Sequence, residues 1–548
     1  MGRTFVPTCL GLLAGFLFNL ATAVKNPVVS TANGDIMGTT SEYVSGVNVF
    51  KGIPFGGVVS GSSRWTHPPA ASAWNGTLNA TTFGPSCPTS MESTGVDYDE
   101  DCLYLNVWTP ENFTSTSNLP VYFWIYGGRF AEGSGSDLTY EASALAAKDI
   151  VVVTINYRLG ALGFLAHPEL NTEYNEKSDN GTLPSGNYGF HDQLAALHWT
   201  NENINLFGGN ISQITIGGQS AGAASTLLHV YSPLSTGLFQ GAIAESGVRY
   251  PHDPLTGSLA TSYRNMSVAE AQGVTFLAQL NVTSIADARN LSAEIILSTS
   301  NQDTTFVGTP FDGNQAYMEP PMYRPVLDGY AFPQSYEATL ANYLQNDVPV
   351  MTGNNKDESG ATPGVAVNET VYESSNSAIF TPMGLYDKFL ELFPASNDID
   401  ASNQTNNFYR NQSLVSTHLW ANLWAEGGAK SNIYSYYWTH APPGQSSGAF
   451  HGSELNYAFD NMPWGTTLTG ETLNWTSTDY QIGDVLSSYW VNFINTGNPN
   501  GGDLTKWLPA SNTSKTTMML GNAWATIPVA SDDVIEFFEE YFANEISY

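Results

Sequence analysis

The segment Gly218-Gln219-Ser220-Ala221-Gly222 is the part of this chain best suited to covalent chemistry. Glycines two before and two after the serine permit a tight turn between an expected strand, Ile214 to Gly217, and an expected helix, Ala221 to His229. Such a turn projects the hydroxyl from the carboxyl edge of a sheet at a helix N-terminus. The five-residue pattern is weak in isolation. The strand before it and the helix after it make Ser220 a candidate nucleophile instead of a serine at an ordinary helix start.

A serine hydroxyl attacks only when a base takes its proton. Where serine stands on an elbow of this kind, the acid and then the base follow it in chain order. His451, in GAFHGSE, is a late histidine in a loop and fits the base; His440 at a strand end and His418 in a helical stretch read as structural. The acid is expected in Gly353 to Gly360, GNNKDESG, directly after the strand Val348 to Thr352. Asp357 and Glu358 could each hold an imidazole in its productive tautomer, and spacing does not choose between them. A third feature is WIYGGRF, residues 124–130, where an apolar strand breaks into Gly127 and Gly128 and then places Arg129. Paired glycines after a strand mark a sharp turn or a close backbone approach. The long cation that follows them needs its own explanation.

Other short apolar runs must position these residues. Val121 to Tyr126, Ile150 to Asn156, Gly241 to Ala244 and Ile433 to Trp438 read as further strands, with helical stretches at Glu141 to Lys148 and His191 to Asn203. This alternation predicts an α/β fold, a mostly parallel sheet with helices on both faces. An unbroken run such as IVVVTI belongs in the sheet centre, covered on both sides. VVSTANGDIMGTT and VNVFKGIPF predict a small N-terminal antiparallel meander with an Asn-Gly turn.

Residues 1–23 carry Arg3, an apolar stretch from Cys9 to Leu20 and a small-x-small site at Ala21 to Ala23, the layout of a secretory signal peptide. No linker composition or internal repeat interrupts residues 24–548, which read as one domain with insertions. Secretion leaves Cys87 and Cys102 as an even pair in an oxidising compartment, and a disulfide between them is expected. Asn-x-Ser/Thr sequons from Asn75 to Asn512, Asn180 among them, are then candidates for glycosylation. With 18 Lys and Arg against 50 Asp and Glu the net charge is −32, which argues against nucleic acid or an anionic membrane as partner.

The chain resembles the type B carboxylesterases, the cholinesterase-like branch of the α/β-hydrolases, from about residue 25 to its end. FGGNISQITIGGQSAG, Phe207 to Gly222, is similar to the family's nucleophile signature, and EDCLYLNVWTP, Glu100 to Pro110, to its second signature. The resemblance implies an α/β-hydrolase fold with Ser220 as nucleophile, Glu358 as acid, His451 as base and Glu454 as a further carboxylate behind them. It also implies the Cys87–Cys102 pairing. Gly127 and Gly128 match the loop whose amides bind the oxyanion, so the donors become Gly128, Arg129 and Ala221. Arg129 stands where relatives usually have Gly or Ala. Its guanidinium is expected to narrow the acyl side of the pocket or to pair with a nearby carboxylate.

Two departures bear on substrate. The loop PTSMESTGVDYDED holds no tryptophan to stack on a quaternary ammonium, so choline esters are poorly supported. It is also short and acidic, unlike the long amphipathic lid of the family's lipases. Gln219 replaces a frequent Glu beside the nucleophile. The expected function is a secreted, glycosylated serine carboxylesterase acting on soluble small-molecule esters, with no metal or organic cofactor. The alternatives are a lipase of the same family acting on acylglycerols and, from another class, a non-catalytic cholinesterase-like adhesion glycoprotein.

Overall fold

Runs of β-branched and aromatic residues form the strands of this protein, here described from a computed structural model covering residues 1–2, 26–89, 97–177, 183–258, 261–300, 306–511 and 513–548. The expected signal peptide and the sequons at Asn180 and Asn512 lie outside the described residues. In chain order the strands are β1 (Val28–Thr31), β2 (Gly34–Met37), β3 (Thr39–Thr40), β4 (Val47–Pro54), β5 (Thr77–Asn79), β6 (Tyr104–Pro110), β7 (Leu119–Ile125) and β8 (Val151–Ile155). There follow β9 (Gly209–Gln219), β10 (Gly241–Glu245), β11 (Arg264–Asn265), β12 (Val326–Leu327), β13 (Val350–Asn355), β14 (Ile433–Trp438), β15 (Thr516–Leu520) and β16 (Ala525–Pro528).

The main sheet has the order β16-β15-β14-β13-β10-β9-β7-β8-β6-β4-β3. From β15 to β8 every neighbouring pair is parallel, and antiparallel strands finish both edges. Every residue of β8, β10, β13 and β14 is buried, as unbroken apolar runs require when helices cover both faces. Among the covering helices, Tyr188–Asn203 and Ala221–Tyr231 correspond to expected ones. The small N-terminal sheet has the order β1-β2-β5, with β1 and β2 antiparallel around Asn33-Gly34. VNVFKGIPF does not join it: β4 pairs with β6 in the main sheet. Val47, Asn48, Val49 and Phe50 are buried in succession, which suits the covered sheet and not a one-sided ribbon.

Strand order decides where the site can form. The chain passes from β7 to β8 on one side, then returns to place β9 on the other side of β7. At such a reversal the loops leave the carboxyl ends of adjacent strands in opposite directions and open a crevice. β7 delivers Gly127 to that crevice and β9 delivers Ser220. Above it, helices Glu369–Phe380, Tyr386–Leu392, Asp398–Glu426 and Asp532–Ala543 pack through a separate aromatic core that includes Phe380, Phe389, Phe408 and Phe537.

Candidate active site

Ser220 joins β9 to the helix Ala221–Tyr231 with φ +60° and ψ −123°, a conformation L-residues rarely adopt. Its amide donates to the Glu245 carbonyl at 2.9 Å, and its carbonyl accepts from the Ala224 amide at 2.9 Å, so both sides of the turn are pinned. Gly222 is required by packing: a Cβ there would lie 2.1 Å from the Ile125 carbonyl oxygen. The loop after β7 comes as close. A Cβ on Gly127 would lie 2.5 Å from the Gln219 carbonyl oxygen and 3.1 Å from Ser220 Cβ.

His451 Nδ1 lies 2.6 Å from Glu358 Oε2, and the second carboxylate oxygen accepts from the Asn355 amide at 2.8 Å. This resolves the choice that spacing left open. Asp357 turns elsewhere, to the Arg410 guanidinium and to the Ala449 amide at 2.9 Å. It thereby ties the acid loop to the residues just before His451. The Glu358 side chain is 1% exposed, whereas 41% of the His451 side chain is open, so the imidazole faces the cavity and the carboxylate lies behind it. Burial favours neutral His451, but the Glu358 hydrogen bond and charge, helped by Glu454, outweigh it and raise the imidazole pKa.

Glu454 is where the resemblance put a further carboxylate. Asn355 Nδ2 donates to its Oε2 at 2.5 Å and to the Phe450 carbonyl at 2.7 Å. Glu245, whose carbonyl holds the Ser220 amide, accepts from Trp490 Nε1 at 3.0 Å. Burial pushes both carboxyls up to about 8, and the charge of Glu245 adds to the rise at Glu454.

Gly128, Arg129 and Phe130 have φ of +103°, +56° and +59°, three successive left-handed residues. That backbone explains why small residues suit the third position, since Arg in this region costs roughly 1–2 kcal/mol. The Arg129 guanidinium extends from it to donate from Nη2 to the Glu319 carbonyl at 2.7 Å; nearby, burial raises the pKa of Glu132, and the Arg129 charge offsets only part of that rise. The side chain thus lies near a carboxylate, as one of the two expectations had it, and reaches the segment that carries Glu319. Ala221 supplies the first amide of its helix, a donor that helix geometry leaves without an intrahelical acceptor.

These groups open on one cavity of about 1980 Å³ that Gly127, Gly128, Arg129, Ser220 and His451 line. Its outer walls come from residues 310–318, 362–409 and 466–470. The contact of the Gln219 side chain with His451, Nε2 to Nε2 at 3.1 Å, was missed. Asp137 on the same wall has its carboxyl pushed up to about 6 by burial, with Glu132 adding to the rise. His440 and His418 take structural places, the first on Asp479 Oδ1 at 2.9 Å and the second on Asn422 at 3.2 Å. Among the described residues no cluster of His, Cys, Asp and Glu could hold a metal ion. Cys87 and Cys102 form the expected disulfide, their Cα atoms 4.9 Å apart. Residues 90–96 of the intervening loop lie outside the described residues.

A sequence model of the carboxylesterase family matches residues 25–528. The chain belongs to that family. It is 32% identical over 484 residues to fumonisin B1 esterase of Sphingopyxis macrogoltabida, covering 87% of this chain and 83% of that one. It is 29% identical to para-nitrobenzyl esterase of Bacillus subtilis, covering 95% and 100%. Among solved structures, a PNB esterase superposes with a TM-score of 0.74 at 27% identity, over 94% of this chain and 100% of that one. This carboxylesterase is therefore an α/β-hydrolase and an ester hydrolase.

Proposed function

We propose that the protein is a secreted serine carboxylesterase that cleaves soluble carboxylic esters through an acyl-enzyme on Ser220. One observation carries the reading: the elbow serine shares a cavity with an imidazole whose far nitrogen is held by a buried carboxylate at 2.6 Å. Ser220 Oγ attacks the ester carbonyl as His451 Nε2 takes its proton. Glu358 fixes the Nδ1–H tautomer and steadies the imidazolium. The amides of Gly128, Arg129 and Ala221 receive the oxyanion, where each donor is typically worth about a hundredfold to a thousandfold in rate. His451 then protonates the departing alcohol. Water, deprotonated by the same imidazole, attacks the acyl-enzyme and releases the acid.

The cavity's outer part is mixed: Thr362, Thr405, Thr466 and Asn368 line it together with Val365, Val367, Val371, Tyr372 and Phe408, so it can take an ester with both polar and apolar parts. The short acidic loop between Cys87 and Cys102, unlike the long amphipathic lid of the family's lipases, is what favours soluble esters over acylglycerols. The signal-like N-terminus and the Cys87–Cys102 bridge support an extracellular setting, with glycans on exposed sequons such as Asn75 and Asn79. Turnover of p-nitrophenyl butyrate that Ser220→Ala abolishes is the expected result. Undiminished turnover in that variant would refute the assignment, and activation at an emulsified triglyceride surface would favour the lipase.

A further inference from the structure

Arg249 follows β10 and is 3% exposed, a buried guanidinium that the steps at Ser220 do not use. A buried cation is costly unless its donors find acceptors, and here two serine hydroxyls supply them. Nη2 donates to Ser359 Oγ at 2.8 Å and Nη1 to Ser413 Oγ at 2.9 Å. The Asp253 carboxylate stands 3.8 Å from Nη1 as counter-charge.

Ser359 is the residue after Glu358, and it turns at φ +53°. A left-handed backbone suits glycine, and a serine there is strained. The charge-assisted bond from Arg249 to the Ser359 hydroxyl offsets that strain and gives the side chain a use. Ser413 belongs to the helix Asp398–Glu426, whose Thr405, Phe408 and Tyr409 wall the cavity. The same stretch of helix holds the chain before the acid: Asn354 Nδ2 donates to the Ser413 carbonyl at 3.2 Å and to Thr417 Oγ1 at 2.7 Å. Glu358 therefore sits between two ties to one helix, a direct one at Asn354 and one through Arg249 at Ser359.

We propose that Arg249 is a positioning residue whose guanidinium clamps Ser359, and with it the acid Glu358, to the helix that walls the cavity. The proposal rests on the reading of Ser220, His451 and Glu358 as a triad. Glu358 Oε2 must stay within 2.6 Å of His451 Nδ1, and a misplacement of about 1 Å at such a contact costs about a hundredfold in rate. The charge of Arg249 acts on the same ring. Burial disfavours the imidazolium of His451, Glu358 after β13 and Glu454 on the ring's own loop favour it, and Arg249 after β10 opposes it. The neutral amide of Gln219, at the end of β9, lies beside the ring, and Arg129, Glu132 and Asp137 line the cavity from the loop after β7. Set against two carboxylates, Arg249 helps to keep the imidazole unprotonated and able to take the Ser220 proton.

The test is a kinetic cycle on p-nitrophenyl butyrate with Arg249→Met, Arg249→Lys, Ser359→Gly and the double variant of Arg249→Met with Ser359→Gly. Ser359→Gly suits the left-handed backbone and removes the hydroxyl. Arg249→Met is expected to lower kcat by about a hundredfold and Ser359→Gly by about tenfold, with KM changed less than kcat in each. Both remove the same bond, so the double variant should lose no more than Arg249→Met alone. Losses that multiply would show two residues acting separately and would overturn the clamp. Arg249→Lys keeps the charge and should recover part of kcat. The acid limb of kcat/KM against pH should move to higher pH in Arg249→Met, where the imidazole loses a cationic neighbour, and stay in place in Arg249→Lys and Ser359→Gly. A fall in kcat with an unmoved limb in Arg249→Met would leave only a structural role and overturn the proposal. Glu358→Gln measured beside them keeps the readings apart: unchanged kcat there would remove the triad itself. A large loss in Glu358→Gln with unchanged kcat in the Arg249 and Ser359 variants would remove only the clamp. Should Arg249→Met not fold, Arg249→Lys, Ser359→Gly and their double variant complete the same cycle, and multiplying losses there overturn the clamp equally.

Discussion

Asp357 and Glu358 are neighbours in sequence and serve different partners: Glu358 Oε2 lies 2.6 Å from His451 Nδ1, while Asp357 holds Arg410 and accepts from the Ala449 amide at 2.9 Å. Substituting each by its amide should separate the two roles. Glu358→Gln is expected to lower kcat by about a thousandfold to ten-thousandfold, because the amide can no longer fix the tautomer or stabilise the imidazolium. Asp357→Asn should retain a far larger share of kcat and cost about 1–3 kcal/mol of stability through the weakened Arg410 contact. Steady-state kinetics and thermal melts of the two variants check this. Equal loss of kcat in both would mean that the acid is not Glu358.

Arg129→Gly tests what the cation does at a position whose backbone favours glycine. The substitution relieves a φ of +56° and keeps the amide, so kcat for a short acyl ester should stay within about tenfold of the parent. It also removes the tie to the Glu319 carbonyl, which joins the oxyanion loop to the insertion that walls the cavity. Acceptance of bulkier acyl groups should therefore broaden. The check is kcat/KM across acetate, butyrate, octanoate and benzoate esters; a profile that matches the parent's would show that the side chain takes no part in selection.

The sheet, the turn at Ser220 and the presence of His451 in the same cavity were legible in sequence because each rests on a short-range signal. Buried strands read as unbroken apolar runs, and a glycine-flanked serine between strand and helix has one geometric use. The choice between Asp357 and Glu358 was not legible, since it depends on how the loop after β13 folds: the Asn355 amide captures one Glu358 oxygen, and Ser359 turns at φ +53°. Both are features of the loop itself, which the segment before His451 holds in place through the Phe450 carbonyl on Asn355 Nδ2 and the Ala449 amide on Asp357. β4 was misread for a related reason. Its alternating appearance suited a ribbon, but partners on β6 and a covering layer decided its burial. The meeting of Gln219 with His451 likewise needs the β9 and His451 loops in register, which no local pattern encodes.

Glu245 and Glu454 give a stability prediction with a definite sign. Both carboxyls are pushed up to about 8, well above their unfolded values, so between about pH 4.5 and 8 the folded state binds more protons than the unfolded state. The stability they contribute is therefore lost as pH rises through that window. Glu245→Gln replaces the protonated acid by a neutral group of the same shape. The variant should melt close to the parent at pH 5 and above it at pH 8, as differential scanning calorimetry at the two values would reveal. A constant difference would mean that Glu245 does not titrate in this range. The buried histidines His67 and His229, pushed down to about 4 and about 3 by burial, act oppositely: the stability they contribute is lost as pH falls below about 6.5. Comparing parent with variant cancels that term.

The disulfide between Cys87 and Cys102 closes a loop with a sequence separation of 15, and both cysteines are fully buried. A loop of that length is worth about 3 kcal/mol in the chain-entropy model, because the bridge removes conformations from the unfolded chain. Cys87→Ser with Cys102→Ser should therefore lower the melting temperature. The effect on kcat should be smaller, since Ser220 follows β9 and Glu358 and His451 lie on the loops after β13 and β14, not on this loop. The bridge does sit beside the site: the Ser86 hydroxyl donates to Ser134 Oγ at 2.7 Å, and Ser134 lines the cavity wall. A large change in KM with an unchanged melting temperature would therefore move the bridge from a stabilising role to a pocket-shaping one. Measuring both in the same double variant distinguishes these outcomes.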